Sequence, residues 1–263
     1  MKYDDDINLC KKFDLHGRRA LVTGSARGIG RAIALGLAEY GAQVIVHGAA
    51  PSGPLESALE AVRKRSPSSF SVTGNLSDAG APERIAEQIK HHCPLPDILV
   101  LNASIQYRTK WFEIPHEEAL KQMQVNFNAS LALMQICFPL MKEQKWGRIL
   151  TIGSVQEFRP HPDMAIYAAS KAAQENLVRN VARQVAVYGI TVNNIAPGVF
   201  ATDRNEEALS NPEYAKRVTD CIPTHTYAEP SDAAGAALLL CSDAGRYITG
   251  ANLAVDGGLR LPG

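Results

Sequence analysis

Short apolar runs alternate along the chain with longer segments in which apolar residues recur every three or four positions. The runs at residues 20–22, 44–46 and 98–101 show no polar alternation, which is typical of strands buried on both faces of a parallel sheet. The longer segments have the period of helices that cross over between such strands. The pattern predicts a doubly wound α/β fold, with helices on both faces of a seven-stranded parallel sheet. We expect strands at residues 20–23, 44–46, 70–72, 98–101, 148–152, 191–195 and 252–255, and helices at 28–40, 55–64, 81–91, 116–142, 164–188 and 231–242.

Composition limits the kinds of partner that the chain can have. Lys and Arg number 27, Asp and Glu also number 27, and the formal net charge is +0. A balanced chain has no overall field to collect nucleic acid or an anionic membrane surface. The longest uncharged stretch, residues 125–141, falls short of the roughly 20 apolar residues that span a bilayer. We therefore expect a small-molecule substrate, with neither nucleic acid nor a membrane as partner.

Nothing in the sequence divides the chain into separate folding units. No linker, repeat or low-complexity tract interrupts the α/β pattern, so we expect an N-terminal extension at residues 1–13 and one domain at 14–263. The five cysteines include no C-x-x-C pair, and no apolar signal segment precedes the fold, which favours reduced thiols in the cytoplasm. The cluster His91-His92-Cys93 lacks partner ligands at regular spacing, so we predict no metal site.

A glycine-rich turn joins the first predicted strand to the first long helix. It reads Thr23-Gly-Ser-Ala-Arg-Gly-Ile-Gly30, with glycines spaced G-x-x-x-G-x-G. Such glycines let the backbone approach a pyrophosphate, and the helix that begins at Gly28 offers unpaired N–H groups and the positive end of its dipole. We therefore predict a dinucleotide phosphate site at this turn. The predicted contacts are Gly24, Ser25, Arg27, Gly28, Ile29 and Gly30.

The end of the second predicted strand lacks the carboxylate that commonly binds the adenosine ribose hydroxyls in dinucleotide folds. His47 stands there instead. Without a carboxylate nothing repels a 2′-phosphate, and Arg27 can supply a guanidinium to it. We predict NADP(H) as the favoured cofactor, with contacts from His47 and Arg27. NAD(H) stays possible, because Arg27 can equally be a solvated loop charge.

Tyr167 and Lys171 lie four residues apart in a predicted helix, which places them on one face. A phenol is a poor acid or base at neutral pH, but a fixed ammonium beside it stabilises the phenolate. Ser154 lies where a predicted strand ends, at the edge where open parallel sheets bind their ligands, and its hydroxyl can bond a substrate oxygen. Together the three residues predict a site for proton transfer.

With these motifs the chain resembles the short-chain dehydrogenase/reductase family from about Phe13 onward. It looks closest to the gluconate 5-dehydrogenase-like branch, because of the lead-in at residues 13–19 and Ser154-Val-Gln156. The resemblance implies a Rossmann-fold, NAD(P)-dependent oxidoreductase that acts on CH–OH groups and forms a homotetramer or homodimer. The matched positions are the glycine turn, Asn102-Ala103, Asn126, Ser154, Tyr167-x-x-x-Lys171 and Pro197-Gly198-x-x-x-Thr202.

The resemblance also implies a role for each matched residue. Tyr167 is the catalytic acid or base, and Ser154 positions the substrate oxygen. Lys171 holds the nicotinamide ribose and supports Tyr167, while Asn126 anchors a water in a proton relay. Asn75, where aspartate is usual, and Ser104, where glycine is usual, depart from the family pattern, so we expect adjusted contacts there. Further cofactor contacts are implied for Asn75, Leu76, Asn102, Ala103, Pro197, Gly198, Val199 and Thr202.

Two segments remain to define the substrate, namely residues 155–164 and a substrate loop or lid at about 199–221. Both can alternatively be solvated loops. We predict hydride transfer between the nicotinamide cofactor and a secondary alcohol or ketone, with a sugar acid or polyol as the favoured substrate. The alternatives are a 3-oxoacyl thioester reductase and a non-catalytic regulator that senses the nicotinamide. Candidate substrate contacts are Gln156, Arg159, His161, Phe200 and Arg204.

Overall fold

The computed structural model describes residues 8–203, 205 and 209–262. Within them the strands are β1 (Arg19–Val22), β2 (Gln43–Gly48), β3 (Phe70–Thr73), β4 (Ile98–Leu101), β5 (Gly147–Ile152), β6 (Ile190–Pro197) and β7 (Asn252–Val255). They form one seven-stranded sheet in the order β3-β2-β1-β4-β5-β6-β7, and each neighbouring pair is parallel. The predicted sheet is confirmed, and its strands begin or end within two residues of the expected positions.

Helices connect the strands and cover both faces of the sheet. One predicted helix, residues 116–142, is interrupted, because Gln124–Asn128 forms a single wider turn with i→i+5 hydrogen bonding. The apolar spacing does not reveal this turn, since one inserted residue hardly disturbs a 3.6-residue period. The described helices are α1 (Leu9–Phe13), α2 (Gly28–Glu39), α3 (Gly53–Arg63), α4 (Ala81–Lys90), α5 (His116–Met123), α6 (Ala129–Gln144), α7 (Ala165–Val185), α8 (Pro212–Asp220) and α9 (Asp232–Cys241).

Strands β1, β2, β4, β5 and β6 bury both of their faces, while the edge strands β3 and β7 are more open. In β1, Ala20 and Val22 belong to one apolar core, while Leu21 between them belongs to the core on the opposite face. The same alternation holds in β2, where Ile45 lies on the face of Leu21. Two cores therefore sandwich the sheet, which explains why the strands read as unbroken apolar runs.

The direction of strand order reverses between β1 and β4, and this reversal opens a crevice at their carboxyl ends. The Thr23 N–H donates to the Val100 carbonyl (2.9 Å), which continues the pairing of β1 with β4 past the end of the strand. The Thr23 hydroxyl accepts the N–H groups of Asn102 (2.9 Å) and Ala103 (3.0 Å). Both loops that border the crevice are therefore fixed to each other. In the part of the chain that the structure describes, no helix is both long and apolar enough to cross a membrane.

Candidate active site

A cleft of about 1270 Å³ lies over the carboxyl edge of the sheet. Segments that follow each of the seven strands line it, and these include α8, so the cleft collects residues far apart in sequence. Most of the predicted site residues lie on its wall. They are Gly24, Arg27, Gly28, Ile29, Gly30, His47, Asn75, Leu76, Asn102, Ala103, Ser154, Gln156, Arg159, His161, Tyr167, Pro197, Gly198, Val199, Phe200 and Thr202.

The glycine turn has the shape that a phosphate site requires. Gly24 and Gly28 adopt positive φ values of 63° and 56°, which side-chain-bearing residues rarely tolerate. At Gly30 a Cβ atom would overlap the Asn102 amide nitrogen and the Gly24 carbonyl, so helix α2 can approach β4 this closely only with glycine there. No side chain caps the start of α2, which leaves its first N–H groups open to a ligand. The residues present therefore fit a dinucleotide pyrophosphate.

His47 is buried and supports the glycine turn through a hydrogen bond. Its Nδ1 accepts the Gly24 N–H (3.1 Å), and its Nε2 lies 3.0 Å from the Gly74 carbonyl, to which it donates. Burial lowers the pKa of His47 to about 4, so the ring is neutral at pH 7. Because both ring nitrogens bond to the protein, His47 cannot supply a positive charge to a 2′-phosphate.

Ser25, predicted as a cofactor contact, does not line the cleft. Its hydroxyl donates to the Val22 carbonyl (2.7 Å) and accepts the His47 N–H (3.0 Å), while its own N–H donates to the His47 carbonyl (3.0 Å). Its hydroxyl and its N–H are both used within the protein. The structure therefore gives Ser25 the task of joining the ends of β1 and β2 beneath the turn.

Arg27 lies at the mouth of the cleft with an exposed side chain. Its guanidinium pairs with Asp203 (3.2 Å), and both side chains are more than half exposed. A pair this open to water contributes little to stability, so the guanidinium can exchange Asp203 for a phosphate at small cost. Arg27 thus lies on the same cleft as the glycine turn, and its contact with the cofactor stays a prediction.

Ser154 and Tyr167 both lie on the wall of the cleft, and Lys171 is buried beside the Tyr167 ring. The Lys171 ammonium is 5.8 Å from the centre of the Tyr167 ring and donates to the Ile152 carbonyl (2.6 Å) at the end of β5. Lys171 is buried and does not itself line the cleft. The i, i+4 spacing on α7 thus brings an ammonium beside the phenol, as the sequence predicts.

Asn126 is fully buried behind the wall of the cleft, in the wider turn between α5 and α6. Its amide nitrogen donates to the Ile105 carbonyl (3.0 Å) and the Ser170 hydroxyl (3.0 Å), and its Oδ1 accepts the Ile105 N–H (2.9 Å). The side chain therefore fixes the segment that follows β4 to α7. The predicted role in a water relay stays a prediction.

The predicted substrate contacts after Ser154 are held by hydrogen bonds within the protein. The Gln156 side chain accepts the His161 N–H, the His161 Nδ1 accepts the Asp163 N–H (3.2 Å), and the Arg159 guanidinium donates to the Leu259 carbonyl. All three predicted residues nevertheless line the cleft. Phe200, also on the wall, is almost fully buried, and Arg204 lies outside the described residues.

Three further basic residues line the cleft without having been predicted from sequence. Arg108 follows β4, Lys121 is on α5, and Arg217 is on α8. No local motif marks them, because they reach one cavity only when the connections after β4 and β6 fold together. With Arg27 and Arg159 they face a single carboxylate, Asp203, among the described lining residues. The described wall of the cleft therefore carries more basic than acidic side chains, although the chain is neutral.

Comparison with known proteins agrees with this geometry. The family model described as enoyl-(acyl carrier protein) reductase matches residues 24–260. The 3-oxoacyl-(acyl-carrier-protein) reductase FabG of Haemophilus influenzae is 37% identical over 247 residues, covering 94% of this chain and 100% of the relative. The gluconate 5-dehydrogenase of Gluconobacter oxydans is 33% identical over 249 residues, covering 95% of this chain and 97% of the relative.

A solved structure shows the same architecture. The gluconate 5-dehydrogenase of Burkholderia cenocepacia, crystallised with NADP and tartrate, has a TM-score of 0.90 and 29% identity, and the match covers 97% of this chain and 100% of that one. The three matches cover nearly the whole length of this chain and of each of these proteins. The chain belongs to the short-chain dehydrogenase/reductase family of oxidoreductases.

Proposed function

We propose that the chain interconverts a secondary alcohol and a ketone with NADP(H), and that the substrate is an anionic sugar acid or a related polyol. The observation that carries the proposal is the convergence of Ser154 and Tyr167 on one cleft with the glycine turn, and of Lys171 immediately behind the tyrosine. A regulator that only senses the nicotinamide would not need a tyrosine and a buried lysine in this arrangement.

The chain's own residues orient the substrate and move its proton. A nicotinamide dinucleotide bound at the glycine turn supplies the hydride chemistry. Tyr167 exchanges a proton with the substrate oxygen, and Ser154 donates a hydrogen bond to the same oxygen as charge develops on it. Lys171 places its positive charge beside the Tyr167 ring, and its bond to the Ile152 carbonyl fixes the ammonium in place.

Replacement of Tyr167 by phenylalanine removes the proton donor but keeps the ring. We expect Tyr167→Phe to lower kcat about 10²- to 10⁴-fold, the range that general acid–base catalysis contributes, with the Kd for NADPH nearly unchanged. Steady-state kinetics and cofactor fluorescence titration measure the two effects. Tyr247→Phe, at a side chain that is almost fully exposed, is the matched control. A Tyr167→Phe variant as active as the parent contradicts the assignment.

The preference for NADP(H) rests on charge at the adenosine end of the cleft. The lining residues at the end of β2 and after it are uncharged, namely Gly48, Ala49, Ala50, Pro51, Ser52 and Pro54, and the buried His47 is neutral. No described carboxylate at this end competes for the ribose hydroxyls, and the Arg27 guanidinium can reach an anion by leaving Asp203. The Burkholderia relative was crystallised with NADP, which agrees with this preference.

Arg27→Gln tests the cofactor proposal. A charge-assisted hydrogen bond contributes about 1.5–3 kcal/mol, so we expect the Kd for NADP to rise about 10- to 100-fold while the Kd for NAD stays nearly constant. Arg31→Gln, one turn along α2 and bonded to Ser57, is the matched control. Titration of each variant with both cofactors gives the answer. NAD that binds the parent as tightly as NADP does would show that the preference is wrong.

The basic residues on the described wall of the cleft support an anionic substrate. Arg108, Lys121 and Arg217 come from the connections that follow β4 and β6, and Asp203 is the one acidic residue among the described lining residues. A carboxylate-bearing sugar acid matches this charge. We also propose that residues 199–221 form a lid, since Tyr214, Arg217 and Cys221 on this segment line the cleft.

A second candidate is the reduction of a 3-oxoacyl thioester. It is favoured by the 37% identity to the Haemophilus FabG reductase. Both reactions use the same hydride transfer and the same Ser154 and Tyr167, so only the substrate distinguishes them. A panel of gluconate, a neutral polyol and a short 3-oxoacyl thioester, followed by nicotinamide absorbance, separates the two. Activity with the thioester alone would reject the sugar-acid proposal.

Arg108→Gln tests whether the basic residues on this wall bind the substrate carboxylate. We expect the KM for a sugar acid to rise about 10- to 100-fold, because a charge-assisted bond is lost, with little change for a neutral polyol. Lys110→Gln is the matched control, since Lys110 is exposed on the same segment but does not line the cleft. Equal effects of Arg108→Gln on charged and neutral substrates would contradict a carboxylate contact.

We propose that the chain forms a homotetramer. Leu120 on α5 is 57% exposed, and Leu131 on α6 and Leu177 and Val181 on α7 are only partly buried. Apolar side chains left open along neighbouring helices favour contact with further copies of the chain. Light scattering of the purified protein is expected to give close to four times the chain mass of 28.4 kDa. A mass equal to one chain would contradict the proposal.

A cytoplasmic location also belongs to the proposal. All five cysteines are free thiols, and Cys137 and Cys241 are buried and apart from any partner sulfur. Free thiols fit a reducing compartment. Fractionation of the source cells, with the protein recovered outside the cytoplasmic fraction, would contradict this location.

A further inference from the structure

The carboxylate of Glu157 lies beside Ser154 but takes no part in the chemistry described so far. It closes the short 3₁₀ helix Val155–Glu157, in which Ser154 is the N-cap residue. Its Oε1 accepts the Ser154 N–H (2.9 Å), and its Oε2 accepts the amide N–H of Asn252 (2.7 Å). The amide nitrogen of Asn194 lies 3.2 Å from both carboxylate oxygens. Every described group that bonds to the carboxylate is therefore an N–H donor.

Two partners of Glu157, Asn194 and Asn252, belong to a polar row that crosses three strands. Thr151 on β5, Asn194 on β6 and Asn252 on β7 are paired in register. The Thr151 hydroxyl donates to the side-chain Oδ1 of Asn194, and the Asn194 Nδ2 donates to the side-chain Oδ1 of Asn252 (2.9 Å). Along this row each side chain donates a hydrogen bond to the next one. N–H groups of Asn194 and Asn252 are then left to donate to Glu157. Only a side chain that accepts hydrogen bonds at both of its outer atoms completes it.

The residue before Ser154 leaves room for the carboxylate to fold back. A Cβ atom at Gly153 would overlap the Glu157 Oε1 and lie 2.6 Å from the Asn194 amide nitrogen. Glycine at 153 and glutamate at 157 are thus needed together. Burial raises the pKa of Glu157, while the bonds from Asn252, Ser154 and Asn194 and the charge of Lys171 oppose that shift. A carboxylate kept in so costly a place is typical of a functional site.

The bonds around Glu157 fix both ends of Ser154. Its backbone N–H is held by the carboxylate, and its Oγ accepts the N–H of Gln156 (3.2 Å). With an oxygen lone pair used in this way, the hydroxyl hydrogen is available to a substrate oxygen in the cleft. We propose that Glu157 is a positioning residue, which anchors Ser154 to β6 and β7 so that its hydroxyl points at the reacting oxygen. The inference rests on the proposed role of Ser154.

Removal of the carboxylate is expected to lower kcat without loss of cofactor binding. Small misplacement of a catalytic group can cost up to about 10²-fold, so we expect Glu157→Ala to lower kcat about 10- to 100-fold while the Kd for NADPH changes less than about twofold. Glu175→Gln, at a second buried glutamate that pairs with Arg179 on α7, is the control for loss of a buried charge. Its kcat is expected to match the parent.

A swap of polarity tests the direction of the hydrogen bonds. Glu157→Gln keeps an oxygen that accepts the Ser154 N–H. Its NH₂ group, however, replaces the oxygen that accepts the Asn252 N–H, so two donors then face each other. We expect a loss of kcat in this variant and its recovery when Asn252→Asp is added, because the pair then regains one donor and one acceptor. This comparison also decides the matter if Glu157→Ala shows no cooperative melting transition. Failure of Asn252→Asp to restore kcat would overturn the proposal.

A double-mutant cycle separates this inference from the proposed function. If Glu157 acts through Ser154, Glu157→Ala lowers kcat in the parent but not in a Ser154→Ala background. An equal loss in both backgrounds would show a general structural role and overturn the positioning role. An unchanged kcat in Glu157→Ala would overturn it as well, while leaving Ser154 as the catalytic hydroxyl. An unchanged kcat in Ser154→Ala would instead reject the proposed function of Ser154, and the inference with it.

Discussion

The cleft depends on the bonds that Asn102 makes between the ends of β1 and β4. Its amide nitrogen donates to the carbonyls of Thr23 (2.9 Å) and Gly24 (3.0 Å), while its N–H donates to the Thr23 hydroxyl (2.9 Å). These bonds hold the glycine turn against the next strand at the point where strand order reverses. Gly30 must lack a side chain because the same amide occupies that space. One polar side chain therefore determines both the position of the turn and the identity of a residue in α2.

The same requirement shapes the rest of the carboxyl edge. Polar groups that lie between two apolar cores lose contact with water, so each must find a partner within the protein. His47 and Ser25 satisfy this need at the ends of β1, β2 and β3, and Asn126 does so for the segment after β4. Glu157 does so for the turn after β5. A layer of fully bonded side chains thus supports the residues that face the cleft, which leaves Ser154 and Tyr167 little freedom to move.

The sequence was sufficient for the sheet, the glycine turn and the Ser154, Tyr167 and Lys171 arrangement, because each depends on short-range spacing. A strand buried on both faces reads as an apolar run, and two residues four apart on a helix share a face. Ser25 and His47 were harder to interpret, since their position suggested the cofactor while their bonds lie beneath the turn. Their partners belong to other strands, and sequence spacing does not report which strand end lies beside which.

The basic residues of the cleft could not be predicted from the sequence for the same reason, although they bear on substrate specificity. Net charge is a sum over the whole chain, and a value of +0 says nothing about where the charges lie. Arg108, Lys121 and Arg217 come from segments after β4 and β6 that pack together only in the fold. The residues proposed for catalysis, by contrast, lie in the turn after β5 and on α7. A family built in this way can keep its chemistry fixed on one pair of elements while surrounding segments change the charge and shape that select the substrate. This separation explains why relatives with different substrates align along nearly the whole chain.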